Sequence, residues 1–232
     1  MTQSLSKNDI KLILIGNTAT GKTSFANKWI TNRFSSSYKA TITSQYNYKI
    51  VTKNNSTYRV QLWDLTGQDR NYLVTKLFSK NCHGVVILSE IANNDSLYDT
   101  LKWKEAIEQH EHIENLPFIL VQNKSDILSE SKLKETLNEA ESFARENGFK
   151  RVFRTSAKNG DNVNEAMNFL IDCVLDNRNS GIVKHHQEGV VLNTNNEGNS
   201  NNNKDETARE GNFGKSVGLD SDYNKDGWSC CG

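Results

Sequence analysis

The sequence predicts a three-layer α/β domain, in which a mostly parallel six-stranded sheet carries helices on both faces, followed by a disordered C-terminal tail. Three observations predict it. Apolar strand segments alternate with amphipathic segments, two strand segments are apolar without interruption, and the polar motifs each follow a strand. We place the domain at residues 8–175 and the tail, which is rich in Asn, Gly and Ser, at residues 176–232.

The individual elements follow from local patterns. Short runs of aliphatic and aromatic residues predict strands at residues 10–15, 45–51, 58–63, 84–88, 118–121 and near 151–153. Apolar residues at helical spacing predict helices at residues 22–31, 97–110, 130–147 and 163–175. Asn54-Asn55 predicts a hairpin turn between the second and third strands, and Gly148 a helix C-cap.

Composition narrows the class of protein. Hydrophobic residues make up 35% and charged residues 24% of the chain, and the formal net charge is +0. This balance gives no overall field to attract nucleic acid, and no apolar run approaches the roughly 18 residues of a membrane span. Cys82 and Cys173 lie in apolar segments and are predicted to be small core residues. We therefore expect a cytosolic protein.

A glycine-containing loop lies between the first predicted strand and the first predicted helix. Its spacing, Gly-x-x-x-x-Gly-Lys-Thr, is typical of a loop whose backbone N–H groups surround a phosphate. We predict that Lys22 reaches the β- and γ-phosphates and that the Thr23 hydroxyl binds Mg²⁺. The alternative is an ordinary loop with an exposed lysine. The residues predicted to contact nucleotide here are Gly16, Asn17, Thr18, Ala19, Thr20, Gly21, Lys22, Thr23 and Ser24.

A second motif, Asp-Leu-Thr-Gly-Gln, begins at the end of the third predicted strand. We expect Asp64 to hold Mg²⁺ through a water, and the Gly67 amide to approach the γ-phosphate because no side chain obstructs it. Gln68 is placed to orient the attacking water. The alternative is a surface turn, which the position after a strand makes less attractive.

Two later motifs, Asn-Lys-Ser-Asp at residues 123–126 and Thr-Ser-Ala-Lys at residues 155–158, predict a guanine site. The carboxylate of Asp126 can accept from the N1–H and the exocyclic amine of guanine, whereas adenine has no donor at N1. The backbone amide of Ala157 is expected to donate to the guanine O6. The residues predicted to surround the base are Asn123, Lys124, Asp126, Ser156, Ala157 and Lys158.

Together these residues resemble the Ras superfamily of small GTPases, and within it the Rab branch, over residues 8–175. Trp63 before Asp64 looks like the Rab form of the second motif, and the adjacent Cys230 and Cys231 resemble paired prenylation cysteines. The resemblance implies the P-loop NTPase fold of a G domain, GTP hydrolase activity and Mg²⁺ as cofactor. It also implies a monomer that acts as a switch in intracellular membrane traffic.

The resemblance implies further roles. Phe34 is expected edge-on to guanine, and Thr41 is expected to bind Mg²⁺ and the γ-phosphate in the GTP state. The implied catalytic residues are Lys22, Thr41 and Gln68, and the implied metal ligands are Thr23, Thr41 and Asp64. The implied effector surface consists of Tyr46, Trp63 and Phe78, with ordinary core packing as the alternative. The implied partners are GTP and GDP, an exchange factor, an activating protein, effectors, a GDP-dissociation inhibitor and the prenylation machinery.

The chain departs from the Rab pattern in its switch regions. Residues 43–46 read Thr-Ser-Gln-Tyr where Rabs have Gly-Val-Asp-Phe, and Thr66 replaces the usual Ala. Thr18 also stands where Rabs carry a smaller residue. We therefore expect an unusual rate of hydrolysis. Two alternatives stay open, namely a nucleotide-holding scaffold that scarcely hydrolyses and a Ras-like GTPase of another branch in signalling.

The tail predicts a lipid anchor at the cytosolic face of an intracellular or plasma membrane. It holds six Lys or Arg against nine Asp or Glu, so no polybasic patch supports membrane binding. One lipid chain alone anchors only marginally, and two adjacent cysteines offer two chains. Ser229 excludes a CaaX ending, and we expect geranylgeranylation of Cys230 and Cys231. The alternative is an unmodified pair.

Overall fold

The computed structural model describes residues 6–37, 45–65, 78–109, 115–135 and 137–180, all within the unit Met1–Gln187. The strands are β1 Asp9–Gly16, β2 Gln45–Lys53, β3 Ser56–Asp64, β4 Gly84–Glu90, β5 Phe118–Asn123 and β6 Arg151–Arg154. The helices are α1 Lys22–Thr31, α2 Asn94–Glu108, α3 Glu130–Glu135, α4 Leu137–Glu146 and α5 Val163–Asn179, and a 3₁₀ turn covers Ser125–Ile127.

The six strands form one sheet in the order β2-β3-β1-β4-β5-β6. Only β2 and β3 pair antiparallel, through the hairpin turn at Asn54 and Asn55, and the other neighbours pair parallel. The predicted mostly parallel six-stranded sheet is therefore confirmed. The chain moves from β1 to one side for β3 and to the other side for β4, so the carboxyl end of β1 lies where the strand order reverses, the usual ligand position in such sheets.

Each face of the sheet carries its own hydrophobic core. Ile10, Leu12 and Leu14 of β1 point to one face, where they pack with α1 and α5. Ile13 and Ile15 point to the other face, where they pack with α2 and α4. Because β1 is buried on both faces, its sequence is apolar at nearly every position, as expected for the centre of a three-layer domain.

Some helix boundaries differ from the predicted ones. α2 begins at Asn94 rather than residue 97, because the side chain of Asn93 caps it by accepting from the Ser96 amide. The predicted helix over residues 130–147 is described as α3 and α4, on either side of residue 136. α5 continues past Leu175 to Asn179. None of the helices described is long and apolar enough to cross a membrane.

Asp9 joins the start of β1 to two distant elements. Its carboxylate accepts two hydrogen bonds from Arg59 of β3, at 2.8 Å and 2.9 Å, and a third from the Ser6 amide. The backbone carbonyls of Asp9 and Lys7 accept from the Arg178 guanidinium near the end of α5. Arg178 lies in the part of α5 that extends beyond the predicted end at Leu175. The Arg59 hydrogen bond holds the pKa of the Asp9 carboxyl below its usual range, although burial acts in the opposite direction.

Replacing Asp9 is expected to weaken the dependence of the free energy of unfolding on pH at acidic pH. A carboxyl whose pKa is lower in the folded state contributes stability that is complete above its unfolded pKa, near 4, and is lost as pH falls through the folded value. Asp9→Asn should therefore lower the free energy of unfolding by about 1 kcal/mol at neutral pH, a modest figure because the Arg59 side chain is 44% exposed. Urea unfolding between pH 7 and pH 2.5 measures both effects.

The matched control for Asp9→Asn is Asp172→Asn. Asp172 forms an ion pair with Lys53 in which the carboxylate side chain is 51% exposed, against 6% for Asp9. Its loss should change the free energy of unfolding by less than about 0.5 kcal/mol. Equal effects of the two substitutions would contradict the role given to Asp9.

Candidate functional site

The described residues of the four polar motifs lie at one edge of the sheet. They follow β1, β3, β5 and β6, and these strands run parallel, so their carboxyl ends share an edge. Side chains join the loops directly: Thr23 contacts Asp64, Asn123 contacts Thr20, and Ser156 contacts Asp126. These contacts connect the motif after β1 with the motifs after β3 and β5, and the motif after β5 with the motif after β6.

The backbone has positive φ at three residues between the end of β1 and the start of α1. Gly16, Ala19 and Gly21 all have positive φ, at 139°, 66° and 90°. A Cβ at Gly16 would lie 2.3 Å from the carbonyl oxygen of Leu88, so only glycine fits there. Gly21 is the N-cap of α1 and provides no side-chain acceptor for the first amides of the helix. These amides, with the positive end of the helix, form an anion-binding concavity.

Lys22 lies at the centre of this loop. Its ammonium donates to the carbonyl oxygens of Gly16 and Asn17, both at 2.9 Å. The residue is only 6% exposed, and burial lowers the pKa of its ammonium to about 8, with a smaller opposing effect from Asp64. A phosphate here would meet a cation already held in position.

Asp64 and Thr23 form a second polar pair in the site, beside Lys22. The Thr23 hydroxyl donates to Asp64 Oδ2 at 2.6 Å. Burial raises the pKa of the Asp64 carboxyl, while the Thr23 hydrogen bond and the Lys22 charge act in the opposite direction. In the part of the chain that the structure describes, the buried Oδ1 of Asp64 has no hydrogen-bond partner. A carboxylate oxygen without a partner beside a hydroxyl is the kind of donor set that Mg²⁺ prefers.

Asn123 connects the loop after β1 with the loop after β6. Its amide donates to the Thr20 carbonyl at 2.9 Å, and its Oδ1 accepts from the Thr155 hydroxyl and the Ala157 amide, both at 3.1 Å. The Ala157 amide therefore donates within the protein here, and its donation to a guanine O6 stays a prediction.

The predicted base-contacting side chains gather around Asp126. Its Oδ1 accepts from the Ser156 hydroxyl at 2.7 Å, and Lys158 lies 3.8 Å from its Oδ2. Lys124 has a left-handed backbone and pairs with Glu90 at 2.9 Å. Glu90 was not among the predicted site residues, although it ends a parallel strand at the same edge and the same rule could have found it.

Three aromatic side chains lie together beside the site. The ring centroids of Tyr46 and Trp63 are 5.0 Å apart, and those of Trp63 and Phe78 are 5.4 Å apart. The ammonium of Lys11 lies 5.1 Å from the Trp63 ring. Tyr46 is 43% exposed, so the group is partly a surface feature and not only core packing.

The remaining predicted residues divide into two groups. Thr18 is exposed in the loop after β1, Ser24 is half-buried in the first turn of α1, and Phe34 is 41% exposed after that helix. The others lie outside the described residues, and their roles stay predictions: Thr41, Thr66, Gly67, Gln68, Cys230 and Cys231.

A buried lysine in a glycine-containing loop after β1, with polar loops from β3, β5 and β6 at the same edge of this sheet, is typical of a nucleotide-binding α/β protein of the G-domain type. Comparison with known proteins agrees, since the Ras family model matches residues 11–176. The chain is 32% identical to the Ras-related protein Rab-32 of Homo sapiens, over 73% of this chain and 76% of the relative. It is 33% identical to Rab-32C of Dictyostelium discoideum, over 72% and 74%.

A further relative is the Ras-related protein Rab-7L1 of Rattus norvegicus, which is 29% identical over 79% of this chain and 90% of the relative. The chain belongs to the Ras family and is a Rab-like small GTPase.

Substitution of Gly21 by Ala is expected to damage the site more than the same change at Gly148. Both glycines have positive φ, so alanine is strained at either position by about 1 kcal/mol. A Cβ at position 21 would also lie 2.4 Å from Asn123 Nδ2, whereas one at position 148 meets only Lys104, at 3.8 Å. Gly21→Ala should therefore reduce GDP affinity at least about tenfold, equivalent to about 1.4 kcal/mol. Gly148→Ala should leave it unchanged.

Calorimetric titration with GDP measures the two affinities, and urea unfolding of the same proteins separates strain from binding. Equal GDP affinities for Gly21→Ala and Gly148→Ala would show that the close approach of Gly21 to Asn123 has no part in the site.

Proposed function

We propose that this protein is a hydrolysing, membrane-anchored switch that binds GTP or GDP with Mg²⁺ and recruits effectors in intracellular membrane traffic. The observation that carries the proposal is the burial of Lys22, at the start of α1, and of Asp64, at the end of β3, with the loops after β5 and β6 at the same edge of the sheet. A buried cation and a buried carboxylate with an unpartnered oxygen make sense together where a phosphate and a divalent metal complete the site.

In the phosphate-binding step, Lys22 keeps its two carbonyl acceptors and uses the third donor of its ammonium for a phosphate oxygen. Two carbonyl oxygens now accept from its ammonium. A phosphate oxygen carries a full negative charge, and hydrogen bonds between charged groups are the stronger ones. The amides at the start of α1 and the loop after β1 add their dipoles to the same anion. The loop therefore holds the β- and γ-phosphates without needing a large rearrangement.

The chain holds Mg²⁺ through Thr23 and Asp64 in this proposal, with Thr41 as a third ligand in the GTP state. When bound, the metal neutralises charge on the phosphates as the bond to the γ-phosphate breaks. The protein's own part is to keep the Thr23 hydroxyl and the Asp64 carboxylate 2.6 Å apart before the ligand arrives. An ordered donor pair lowers the entropy that binding must overcome.

Recognition of guanine depends on Asp126. The Ser156 hydroxyl fixes one oxygen of this carboxylate at 2.7 Å, and the lone pairs that remain are available to the guanine N1–H and amine. Adenine would leave these remaining lone pairs without the two guanine donors in a partly buried position, which costs free energy. Lys124 and Lys158 supply aliphatic stems that can cover the two faces of a base.

Hydrolysis is assigned to Gln68, which orients the attacking water in this proposal. Thr41 and Gly67 hold the two switch segments against the γ-phosphate, and loss of that phosphate releases them. The group of Tyr46, Trp63 and Phe78 then reports the nucleotide state to effectors, and its exposed edge supports that role. An activating protein is expected to supply the arginine that speeds the reaction.

A second candidate function is a nucleotide-holding scaffold with little hydrolysis. Thr18 favours it, since this residue is exposed in the phosphate loop and adds bulk near the expected γ-phosphate. Thr66, in the second motif, also replaces a smaller residue of the Rab pattern and therefore favours the same function. A Ras-like switch in signalling is the third candidate, favoured by residues 43–46.

The hydrolysis proposal predicts slow turnover that is specific for GTP. Single-turnover assays of the full-length protein with Mg²⁺ should give a rate on the order of 10⁻⁴ s⁻¹ without a partner, as in Ras. ATP is the matched substrate control and should give no turnover. Gln68→Leu should slow hydrolysis at least about tenfold while GDP affinity stays the same, because water positioning acts in the transition state and not in nucleotide binding.

Two outcomes of this assay would change the proposal. Tight GTP binding without turnover would favour the scaffold. If Thr66→Ala hydrolyses GTP at the wild-type rate, Thr66 does not set the rate of this enzyme.

The membrane proposal predicts two isoprenoid groups on the tail. The protein expressed in a eukaryotic host should carry the mass of two geranylgeranyl groups, because a single chain anchors only marginally. Cys230→Ser and Cys231→Ser should each lose one group, and Cys82→Ser should lose none because Cys82 is buried. Intact-mass spectrometry measures this, and an unmodified wild-type mass would rule out the anchor.

A further inference from the structure

The side chain of Asn17 turns away from the phosphate loop that contains it. Its Nδ2 donates to Asp99 Oδ2 of α2 at 2.8 Å, and its Oδ1 accepts from the Trp103 indole N–H at 2.9 Å. Both partners lie more than eighty positions further along the chain. The amide is therefore a bridge between the loop after β1 and the helix after β4.

The chemistry of this bridge fits an amide side chain at position 17. An indole N–H can only donate and an ionised carboxylate can only accept. The residue between them must accept on one side and donate on the other, within the length of one short side chain. Aspartate at this position would face the Asp99 carboxylate with no proton to share at neutral pH, and like charges at such a distance repel.

The backbone of the same residue holds the catalytic lysine. The carbonyl oxygen of Asn17 accepts from the Lys22 ammonium at 2.9 Å and from the Thr20 hydroxyl at 2.9 Å. A movement of Asn17 therefore moves an acceptor of Lys22 and one wall of the anion-binding loop. The side chain fixes this position from the outside of the loop.

The helix on the other side of the bridge is itself well fixed. Trp103 is 5% exposed and packs in the core beneath α2. Ser96, in the first turn of α2, exchanges hydrogen bonds with the backbone of Glu90 at the end of β4. Asp99 is held in addition by an ion pair with Lys102, at 2.5 Å. α2 can thus act as a rigid support for the loop.

We propose that Asn17 is a positioning residue that couples α2 to the phosphate loop and slows the release of bound nucleotide. The inference rests on the proposed function, since it takes the loop to hold the phosphates. It differs from that function in assigning the effect to a side chain that does not touch the nucleotide and to two partners on a distant helix.

The test moves the carboxylate from position 99 to position 17 by substitution and measures the rate of GDP release. Full-length proteins are loaded with a fluorescent GDP analogue and chased with excess unlabelled GDP in Mg²⁺. Asn17→Asp should release GDP about tenfold faster than wild type, equivalent to about 1.4 kcal/mol. Asp99→Asn is the matched control and should stay within about twofold, because its amide oxygen still accepts from Asn17.

The double variant tests whether the Asn17–Asp99 bridge itself controls the rate of GDP release. In Asn17→Asp with Asp99→Asn, the amide at position 99 donates to the carboxylate at position 17, so the bridge is restored with its partners exchanged. Release should return to within about threefold of wild type, and such coupling is what a double-mutant cycle measures. A double variant that releases GDP as fast as Asn17→Asp would overturn the proposal, as would an Asn17→Asp variant that behaves like wild type.

A second readout does not depend on the nucleotide. The indole N–H signal of Trp103, assigned by its loss in Trp103→Phe, should exchange with solvent more slowly in wild type than in Asn17→Ala, which removes the acceptor. Equal exchange rates would overturn the bridge itself. Failure of the wild-type protein to retain GDP, together with a protected indole, would instead count against the proposed function and leave the bridge supported.

Discussion

The site depends on one buried side chain, Asn123, which is 1% exposed and makes three hydrogen bonds to two other loops. It joins the phosphate loop, through Thr20, to the loop after β6, through Thr155 and Ala157. A buried amide left without these partners would cost more than each bond contributes, so the three loops keep one arrangement. The close approach of Gly21 belongs to the same constraint, because a larger residue would displace this amide.

A second property follows from where the charges lie. Lys22 and Asp64 are both buried at the edge of the sheet. Burial lowers the pKa of the Lys22 ammonium and raises the pKa of the Asp64 carboxyl, so it favours the neutral form of each group. Burying charged groups is unfavourable unless they are paired and hydrogen-bonded. A ligand that binds only the folded chain and satisfies both groups would add stability by mass action. In the proposed function, that ligand is a phosphate together with a divalent cation.

The sequence indicated which segments carry the motifs better than it indicated the contacts between those segments. The phosphate loop, the carboxylate at the end of β3 and the base loops were recognisable from residue types and spacing, because local turns and helix starts depend on nearby residues. Spacing along the chain gave no sign that the Ala157 amide donates to Asn123, that Lys124 pairs with Glu90, or that Asn17 reaches α2. Each of these contacts joins segments far apart in sequence.

By itself, the sequence determined the alternation of strands and helices, the strands buried on both faces and the order of the motifs, since these follow from hydrophobic periodicity and from glycine at positions with positive φ. The tertiary structure decided the strand order, which brings four loops to one edge, and the partner of each polar atom. The physical reason is that a hydrogen bond forms with whichever acceptor packing brings within about 3 Å. Packing is a property of the whole core, so the extra turn of α5 at Arg178 and the capped start of α2 at Asn93 were outside the reach of local pattern.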